Sequence, residues 1–196
     1  QVREPPPLIS SSMGGLVTAV SELPDKRLVM IMDVEKVLAD AGSFYDETIF
    51  DGINKLDTEH TRTILFADDS KIARTQITKC LEHMGVKYLT TINGAEAWAL
   101  LDKLATKCAE EERDITTEIQ AVLTDVEMPE MDGYVLTQKI KADPRMQHLP
   151  VIMHSSLTAA ANQSMGKSVG ADAYVPKFQP RQLAETLEEY FNKIEG

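Results

Sequence analysis

Hydrophobic and polar positions alternate in a regular way along residues 63–196. Short apolar runs are followed by longer stretches in which an apolar side chain recurs every three or four positions. The short runs predict strands, and the longer stretches predict helices. The five predicted strands are 63–67, 88–92, 121–124, 151–154 and 173–176. Strands that alternate with helices favour an α/β fold in which helices cover both faces of a parallel sheet.

The predicted helices carry start and stop signals. Ser70 is placed to cap the first helix, and Gly85 follows its last turn. Asn93-Gly94 and Asp132-Gly133 open the second and third helices, and Pro180 suits the first turn of the fifth. The first predicted helix starts at Ser70 and ends before Gly85, and the second follows Asn93-Gly94 and runs out in the charged stretch 110–114. The third follows Asp132-Gly133 and ends near 143–144, the fourth covers about 158–169, and the fifth begins at Pro180.

The first 40 residues have a different pattern. Two apolar runs at 16–20 and 27–32 predict strands, and a short helix is expected at 34–39. Two strands cannot hold a core in water by themselves, so residues 1–40 need more chain or a partner. Because the chain begins with Gln1 rather than Met, we expect it to be a piece of a longer protein.

The connection between the two parts is polar and acidic. Residues 41–62 show no sustained period, which predicts a linker with a short turn or helix near 46–56. We therefore expect the stability of residues 63–196 to be independent of the first 60 residues.

Composition narrows the classes of function. The 196 residues include 31 acidic and 20 basic side chains, for a net charge of −11, and nucleic-acid binding needs clustered Lys and Arg instead. No apolar stretch approaches the roughly 20 residues of a membrane helix, and no signal-peptide pattern opens the chain. We therefore expect a cytoplasmic protein without direct membrane insertion.

Cys80 and Cys108 share no motif, so a disulfide or zinc framework is not expected. Four histidines share no ligand spacing and are expected at the surface or the edge of the core: His60, His83, His148 and His154.

Chemically active side chains directly follow four of the five predicted strands. Asp68 and Asp69 follow the first strand, Asp125 the third, Ser155 the fourth and Lys177 the fifth. The carboxyl ends of strands in an open parallel sheet converge on one crevice. We therefore expect three carboxylates, a hydroxyl and an ammonium to share one pocket, a set that suits a divalent cation and a phosphoryl group.

The three acids suggest a division of roles. Phosphoryl transfer to a carboxylate needs an in-line acceptor and neutralisation of charge. Asp125 is the natural acceptor because it stands alone after the central strand. Asp68 and Asp69 are expected to hold Mg2+ beside it, with the main-chain carbonyl of Glu127 as a further ligand. The cation would also relieve the repulsion among the carboxylates.

The remaining groups are expected to bind the phosphoryl group. Ser155 can hydrogen-bond a phosphoryl oxygen, and Lys177 can supply a mobile point charge. Ser156 is either a second donor or a turn residue. Tyr174, three residues before Lys177, is either a core residue or a switch.

Four segments together resemble a response-regulator receiver domain over about 63–196. They are Asp-Asp-Ser at 68–70, Val-Leu-Thr-Asp-Val-Glu-Met-Pro-Glu-Met-Asp-Gly at 122–133, Pro-Val-Ile-Met-His-Ser-Ser at 150–156 and Ala-Asp-Ala-Tyr-Val-Pro-Lys-Phe at 171–178. The resemblance implies a flavodoxin-like (βα)5 fold, Mg2+, and phosphorylation of Asp125 by a histidine kinase. It also implies that Ser155 and Tyr174 couple phosphorylation to a surface change. Two features depart from the family: Phe178 stands where most receivers have proline, and the stretch before the third strand is longer than usual.

Residues 1–40 resemble the end of a CheW-like domain, through Pro-Pro-Pro at 5–7 and the segments at 15–20 and 27–38. A CheW-like domain followed by a receiver is the layout of CheV-type chemotaxis coupling proteins, and phenylalanine after the receiver lysine is also similar to that subgroup. The resemblance implies a CheA-type histidine kinase and a chemoreceptor signalling complex as partners, with a location at membrane-associated receptor clusters. Most of the CheW-like domain would lie outside this chain, and a dimer through the N-terminal strands is possible.

Two other classes are weighed against this interpretation. A receiver of another two-component regulator, such as a transcription factor, would carry a basic helix-turn-helix segment, and none follows Lys177. A magnesium-dependent aspartyl-phosphate phosphatase needs a second acid two residues after its nucleophile, as an acid/base group. At that distance Asp68 is followed by Ser70 and Asp69 by Lys71, and neither is an acid. We therefore expect self-catalysed transfer to Asp125 only. Whether the protein acts as an adaptor or as a phosphate sink stays open.

Overall fold

The computed structural model describes residues 2–6, 9, 16–33, 37, 47–57, 61–156 and 160–195. The chain divides into two compact units, Gln1–Asp46 and Glu47–Gly196. Among the helices that the structure describes, none combines the length and the apolar character that a membrane-spanning segment requires.

The first unit contains a three-stranded antiparallel sheet. Its strands are β1 (Val2–Arg3), β2 (Val17–Glu22) and β3 (Leu28–Met32), in the order β1-β2-β3. The two strands that we predicted from apolar runs are confirmed, whereas β1 was not predicted because it is two residues long. The helix predicted at 34–39 lies outside the described residues, apart from Val37.

The second unit is an α/β fold whose strands and helices alternate as predicted. Its strands are β4 (Thr63–Ala67), β5 (Lys87–Thr91), β6 (Ala121–Thr124), β7 (Val151–Ser155) and β8 (Ala173–Pro176). Its described α-helices are α1 (Lys71–Met84), α2 (Gly94–Glu110), α3 (Gly133–Ala142), α4 (Ala160–Ser168) and α5 (Pro180–Glu195). Short 3-10 helices lie at Glu47–Phe50 and Ile115–Thr117.

The order of the strands fixes where a site can form. All neighbouring strands are parallel, in the order β5-β4-β6-β7-β8, which is the flavodoxin-like order 2-1-3-4-5. The strand β5 is added on one side of β4, and β6 and the later strands are added on the other side. The order of the strands therefore reverses at β4. A crevice opens at such a switch point, beyond the carboxyl ends of β4 and β6.

Helix caps confirm the boundaries that the sequence predicts. The Ser70 side chain accepts a hydrogen bond from the backbone N–H of Ala73 (3.3 Å). The helix α1 then ends at Gly85, whose φ of 74° is a left-handed conformation that glycine adopts without strain. Asn93 and Asp132 cap α2 and α3 in the same way as Ser70. The long stretch after α2 contains the 3-10 helix, and Ile115 at its start is buried in the core.

The structure divides the predicted linker. Residues 47–57, which we call the strap, belong to the second unit, and Phe50 in the strap is only 2% exposed. The strap is held against α1 and α5 because its apolar side chains enter their buried cluster. The division of the chain into residues 1–40, 41–62 and 63–196 by function stays a prediction.

Candidate functional site

Three carboxylates meet at the switch point of the sheet. Asp68 and Asp69 directly follow β4, and Asp125 directly follows β6, so the two neighbouring parallel strands deliver them to the same edge. One carboxylate oxygen from each residue lies within 4.8 Å of the others. Asp68 and Asp125 are buried, whereas Asp69 is exposed. The cluster is therefore open on the side of Asp69.

Lys177 bridges the two buried carboxylates. Its Nζ donates a hydrogen bond to Asp125 Oδ2 (2.9 Å) and lies 3.1 Å from Asp68 Oδ2. The contact with Asp68 is an ion pair without hydrogen-bond geometry, since Asp68 Oδ2 has no hydrogen-bond partner. Asp68 Oδ1 accepts a hydrogen bond from the backbone N–H of Ser70 (2.9 Å).

Burial changes the acidity of both buried acids. Burial raises the pKa of Asp68 to about 7, against the attraction of the Lys177 ammonium and with a further contribution from the charge of Asp125. The pKa of Asp125 is also raised by burial, while Lys177 and the backbone N–H groups of Val126 and Glu127 oppose the rise. The site therefore holds more negative charge than its surroundings stabilise.

This charge balance fits a hard divalent cation. When all three carboxylates are ionised, the ammonium of Lys177 leaves two net negative charges within a few ångströms. Carboxylate oxygens are the ligands that Mg2+ prefers, and a divalent cation would neutralise the excess. The residues present therefore fit the metal that the sequence predicts.

The backbone around Asp125 fixes the orientation of its carboxylate. Asp125 Oδ1 accepts a hydrogen bond from the N–H of Val126 (2.6 Å), and the Thr124 hydroxyl donates to the Asp125 carbonyl (2.9 Å). A Cβ atom at Gly133 would lie 2.0 Å from that same carbonyl oxygen, so the start of α3 can approach only because the residue is glycine. In the sequence, Gly133 is recognisable only as a helix signal, so this role was not predicted.

The other predicted site residues lie on β7, β8 and the loop after β6. Ser155 is buried at the end of β7, and its carbonyl accepts from the N–H of Lys177 (3.0 Å). Glu127 lies two residues after Asp125, and its side chain is exposed. Tyr174 lies on β8, half-buried, beside a cavity that is lined by Gly166 and Lys167 of α4. Thus the structure brings Asp68, Asp69, Asp125 and Lys177 into one cluster, with Ser155 on the strand next to Lys177.

Two residues near the site were missed or misjudged from the sequence. Arg74 on α1 donates from Nη1 to the carbonyl of Asp68 (2.8 Å), which fixes the turn that carries both acids. His154 was expected at the surface or the edge of the core, but it is fully buried, and this expectation was wrong. Its neighbours along β7 are all buried because helices cover both faces of the sheet, and an apolar run that includes one histidine gives no sign of this.

The loop after Lys177 is unusual in its backbone. Phe178 adopts φ 65°, a left-handed conformation that is strained for a bulky side chain. The surrounding packing must hold the loop in place to maintain this conformation.

Comparison with known proteins identifies the relatives of this chain. Residues 64–188 match the family model of the response regulator receiver domain. The chemotaxis protein CheV2 of Helicobacter pylori is 31% identical over 184 residues, which are 89% of this chain and 53% of the relative. The chemotaxis protein CheY1 of the same species is 32% identical over 127 residues, which are 64% of this chain and 93% of the relative. The chain thus spans about half the length of the CheV-type relatives that it matches.

A solved receiver structure supports the fold assignment. The receiver domain of the histidine kinase CKI1 from Arabidopsis thaliana, solved in complex with Mg2+ and BeF3−, covers 67% of this chain with 27% identity and a TM-score of 0.60. That match covers 90% of the CKI1 domain. The resemblances to a receiver and to CheV-type proteins that the motifs indicate are confirmed, and the relatives favour a chemotaxis receiver over the two rival classes.

Proposed function

The chain belongs to the response regulator receiver family, and we propose that its receiver accepts a phosphoryl group on Asp125 from a CheA-type histidine kinase. The observation that carries this proposal is the ion bridge from Lys177 to Asp125 and Asp68, beside the exposed Asp69. In this arrangement Asp125 is an oriented nucleophile, and the Lys177 ammonium can move with the negative charge of the transferred phosphoryl group. The full protein would act at chemoreceptor signalling complexes in the cytoplasm, either as an adaptor or as a phosphate sink.

Transfer is a displacement at phosphorus. The bond between phosphorus and the donor histidine nitrogen breaks, the nitrogen keeps the electron pair, and a carboxylate oxygen of Asp125 forms the new bond. The hydrogen bonds from Val126 and Thr124 hold Asp125 in a fixed orientation before the donor arrives. Lys177 neutralises charge on the phosphoryl oxygens, and Ser155 donates a hydrogen bond to one of them. Lys177 and Ser155 thereby sense the modification, and Tyr174 transmits it to the surface.

A bound Mg2+ would supply charge neutralisation for the transfer. We propose that Asp69 and Asp125 are direct ligands, together with the main-chain carbonyl of Glu127. Asp68 would act more through water, since one of its oxygens is held by Ser70 and the other lies against Lys177. Asp69→Ala should therefore weaken Mg2+ binding more than Asp68→Ala in titration calorimetry.

The decisive experiment is phosphotransfer to the full chain. Incubation with a small acyl phosphate and Mg2+, or with a phosphorylated CheA-type kinase, should add one phosphoryl group by intact mass. The variant Asp125→Asn should add none. Asp102→Asn, which changes an exposed carboxylate of α2, is the matched control and should be labelled normally. Full labelling of Asp125→Asn would refute the acceptor assignment, and steady turnover of the acyl phosphate without a stable adduct would favour a phosphatase.

A further inference from the structure

The strap packs into the core of the receiver unit and is more than a linker. Phe50 lies in the same buried cluster as Ile77 and Leu81 of α1 and Leu183 and Leu187 of α5. A buried aromatic side chain shared by two helices fixes them relative to each other. The strap therefore bears on the packing of α1 against α5.

Polar contacts anchor both ends of the strap. The backbone N–H of Leu56 donates to the carbonyl of Met84 (2.9 Å), which satisfies a free carbonyl at the end of α1. At the other end, the Lys79 ammonium lies 3.2 Å from a carboxylate oxygen of Glu47. The contacts at the two ends of the strap are few and partly exposed, so these ends can open locally while Phe50 stays in the core.

The strap also reaches the loop that follows Lys177. Ile49 lines one groove together with Phe178 and Pro180. Only Phe178 and Gln179 separate Lys177 from Pro180, where α5 begins. Because Phe178 holds a strained left-handed conformation, the loop depends on the groups that pack around it.

The position of Lys177 affects loading of the site, by which we mean the binding of Mg2+ and a phosphoryl group. Its ammonium contacts Asp68 Oδ2 and Asp125 Oδ2. A cation and a phosphoryl group would bind to these same two carboxylates. Loading the site therefore requires Lys177 to leave at least one of these oxygens. Packing that holds the loop in its present position favours the bridged arrangement and opposes loading.

We propose that the strap is an intramolecular regulator of the phosphorylation site. When docked, it holds the Phe178–Pro180 loop so that Lys177 bridges Asp68 and Asp125, and loading with Mg2+ and a phosphoryl group loosens it. The inference rests on the proposed function of Asp125. Because the coupling is reciprocal, releasing the strap must strengthen ligand binding by the same factor by which the ligand weakens the strap.

The comparisons agree with a regulator that is added to the basic receiver. The receiver family model begins its match at residue 64, after the strap. The match with CheV2 covers 89% of the chain and therefore runs through the strap. The strap thus lies outside the part that the receiver family model matches and inside the part shared with CheV-type relatives.

Hydrogen exchange on the unaltered chain tests the first half of the proposal. Adding Mg2+ with beryllofluoride, a phosphoryl mimic, should speed exchange of the amides of Ile53 and Leu56 by about fivefold or more, the lower end of typical allosteric coupling. Both amides donate hydrogen bonds in the docked strap. The amide of Val122 in the buried strand β6 is the internal reference and should not exchange faster. Unchanged or slower exchange in the strap would overturn the proposal.

A variant of the strap tests the reciprocal half. Ile49→Ala should bind Mg2+ with beryllofluoride about fivefold more tightly in titration calorimetry, whereas Asp51→Ala, an exposed position in the same segment, should bind as the unaltered chain does. Ile49 is only half-buried, so its loss should spare the fold. Equal affinity of both variants would refute the coupling while leaving Asp125 as the acceptor. Absence of any ligand binding to the unaltered chain would refute the proposed function as well.

Discussion

Strands β3 and β6 are both rich in apolar side chains, yet their environments are opposite. All five side chains of β3, Leu28–Met32, are between 42% and 60% exposed, and among the described strands only β2 lies beside it. All four side chains of β6, Ala121–Thr124, are buried, and the strand lies between β4 and β7. An apolar run therefore predicts a strand, whereas the burial of its side chains depends on what covers the sheet. The stability of the chain should therefore reside in the second unit.

The largest expected effect comes from where the chain is cut. Removing residues 1–46 should leave the free energy of unfolding of the receiver unit nearly unchanged, because those residues form a separate unit. Removing residues 1–60 also removes the strap and its buried Phe50. Loss of a buried phenylalanine alone costs about 3–5 kcal/mol, so the shorter chain should be destabilised by at least that amount.

Urea denaturation of the two truncated chains measures this difference. The chain cut at residue 46 is the control, since it keeps the whole strap. Equal midpoints for both truncations would show that the strap does not belong to the receiver. A large loss on removing residues 1–46 would instead show that the first unit supports the second.

A pair of single substitutions measures how much the two sheets differ in their contribution to stability. Phe66→Ala in the buried strand β4 should cost about 3–5 kcal/mol, because it leaves a cavity in the core. Met30→Ala in β3 removes a side chain that is 47% exposed and should change the free energy of unfolding by no more than about 0.5 kcal/mol. Thermal and urea unfolding of both variants would check this. A comparable loss for Met30→Ala would indicate that β3 is covered in solution.

Much of the receiver and its site could be predicted from local patterns. Caps such as Ser70 and Asp132 act within three residues, so their signals are complete in the sequence. The cluster of acids could be predicted because parallel strands deliver their carboxyl ends to one edge, whatever the details of packing. The Asp68–Asp69–Asp125 cluster therefore follows from the order of the elements alone.

The features that were missed depend on tertiary contacts. The strap was expected to be a linker because its apolar residues, such as Ile49 and Leu56, follow no helical or strand period. They are half-buried against a surface that α1 and α5 form together, which no local pattern encodes. The burial of His154 likewise depends on the helices above and below its strand. The contact of Arg74 with the carbonyl of Asp68 spans only six residues, but no periodic pattern of apolar side chains signals it.

Buried His154 gives the receiver unit a specific response to pH. Burial lowers the pKa of His154 to about 3, below the ordinary value of 6.5 that applies when the chain is unfolded. Between these values only the unfolded chain binds the proton, so stability should fall as the pH drops from 6.5 towards 3, by at most about 1.4 kcal/mol for each pH unit. His154→Leu should reduce this slope in urea denaturation across the range.

Two controls assign the slope to this residue. His148→Gln, at an exposed histidine that pairs with Asp114, should keep most of the slope. The chain cut at residue 46 should also keep it, because the first unit contains no histidine. An unchanged slope in His154→Leu would show that the carboxylates, rather than this histidine, set the acid sensitivity.

The smallest effect on unfolding should come from charges at the edge of the first sheet, although they should change assembly. An exposed apolar edge strand invites pairing with another chain, and a lysine on it blocks such pairing. We expect the full chain to dimerise through β3, and Val29→Lys or Ile31→Lys should make it monomeric in light scattering. Either variant should shift the free energy of unfolding by no more than about 0.5 kcal/mol, since both side chains are exposed.

Leu89→Lys is the matched control, because β5 is an edge strand of the receiver sheet and Leu89 is also exposed. If all four chains are monomeric at high concentration, the edge of β3 does not pair with a second copy. If Leu89→Lys alone abolishes the dimer, the receiver edge forms the contact instead.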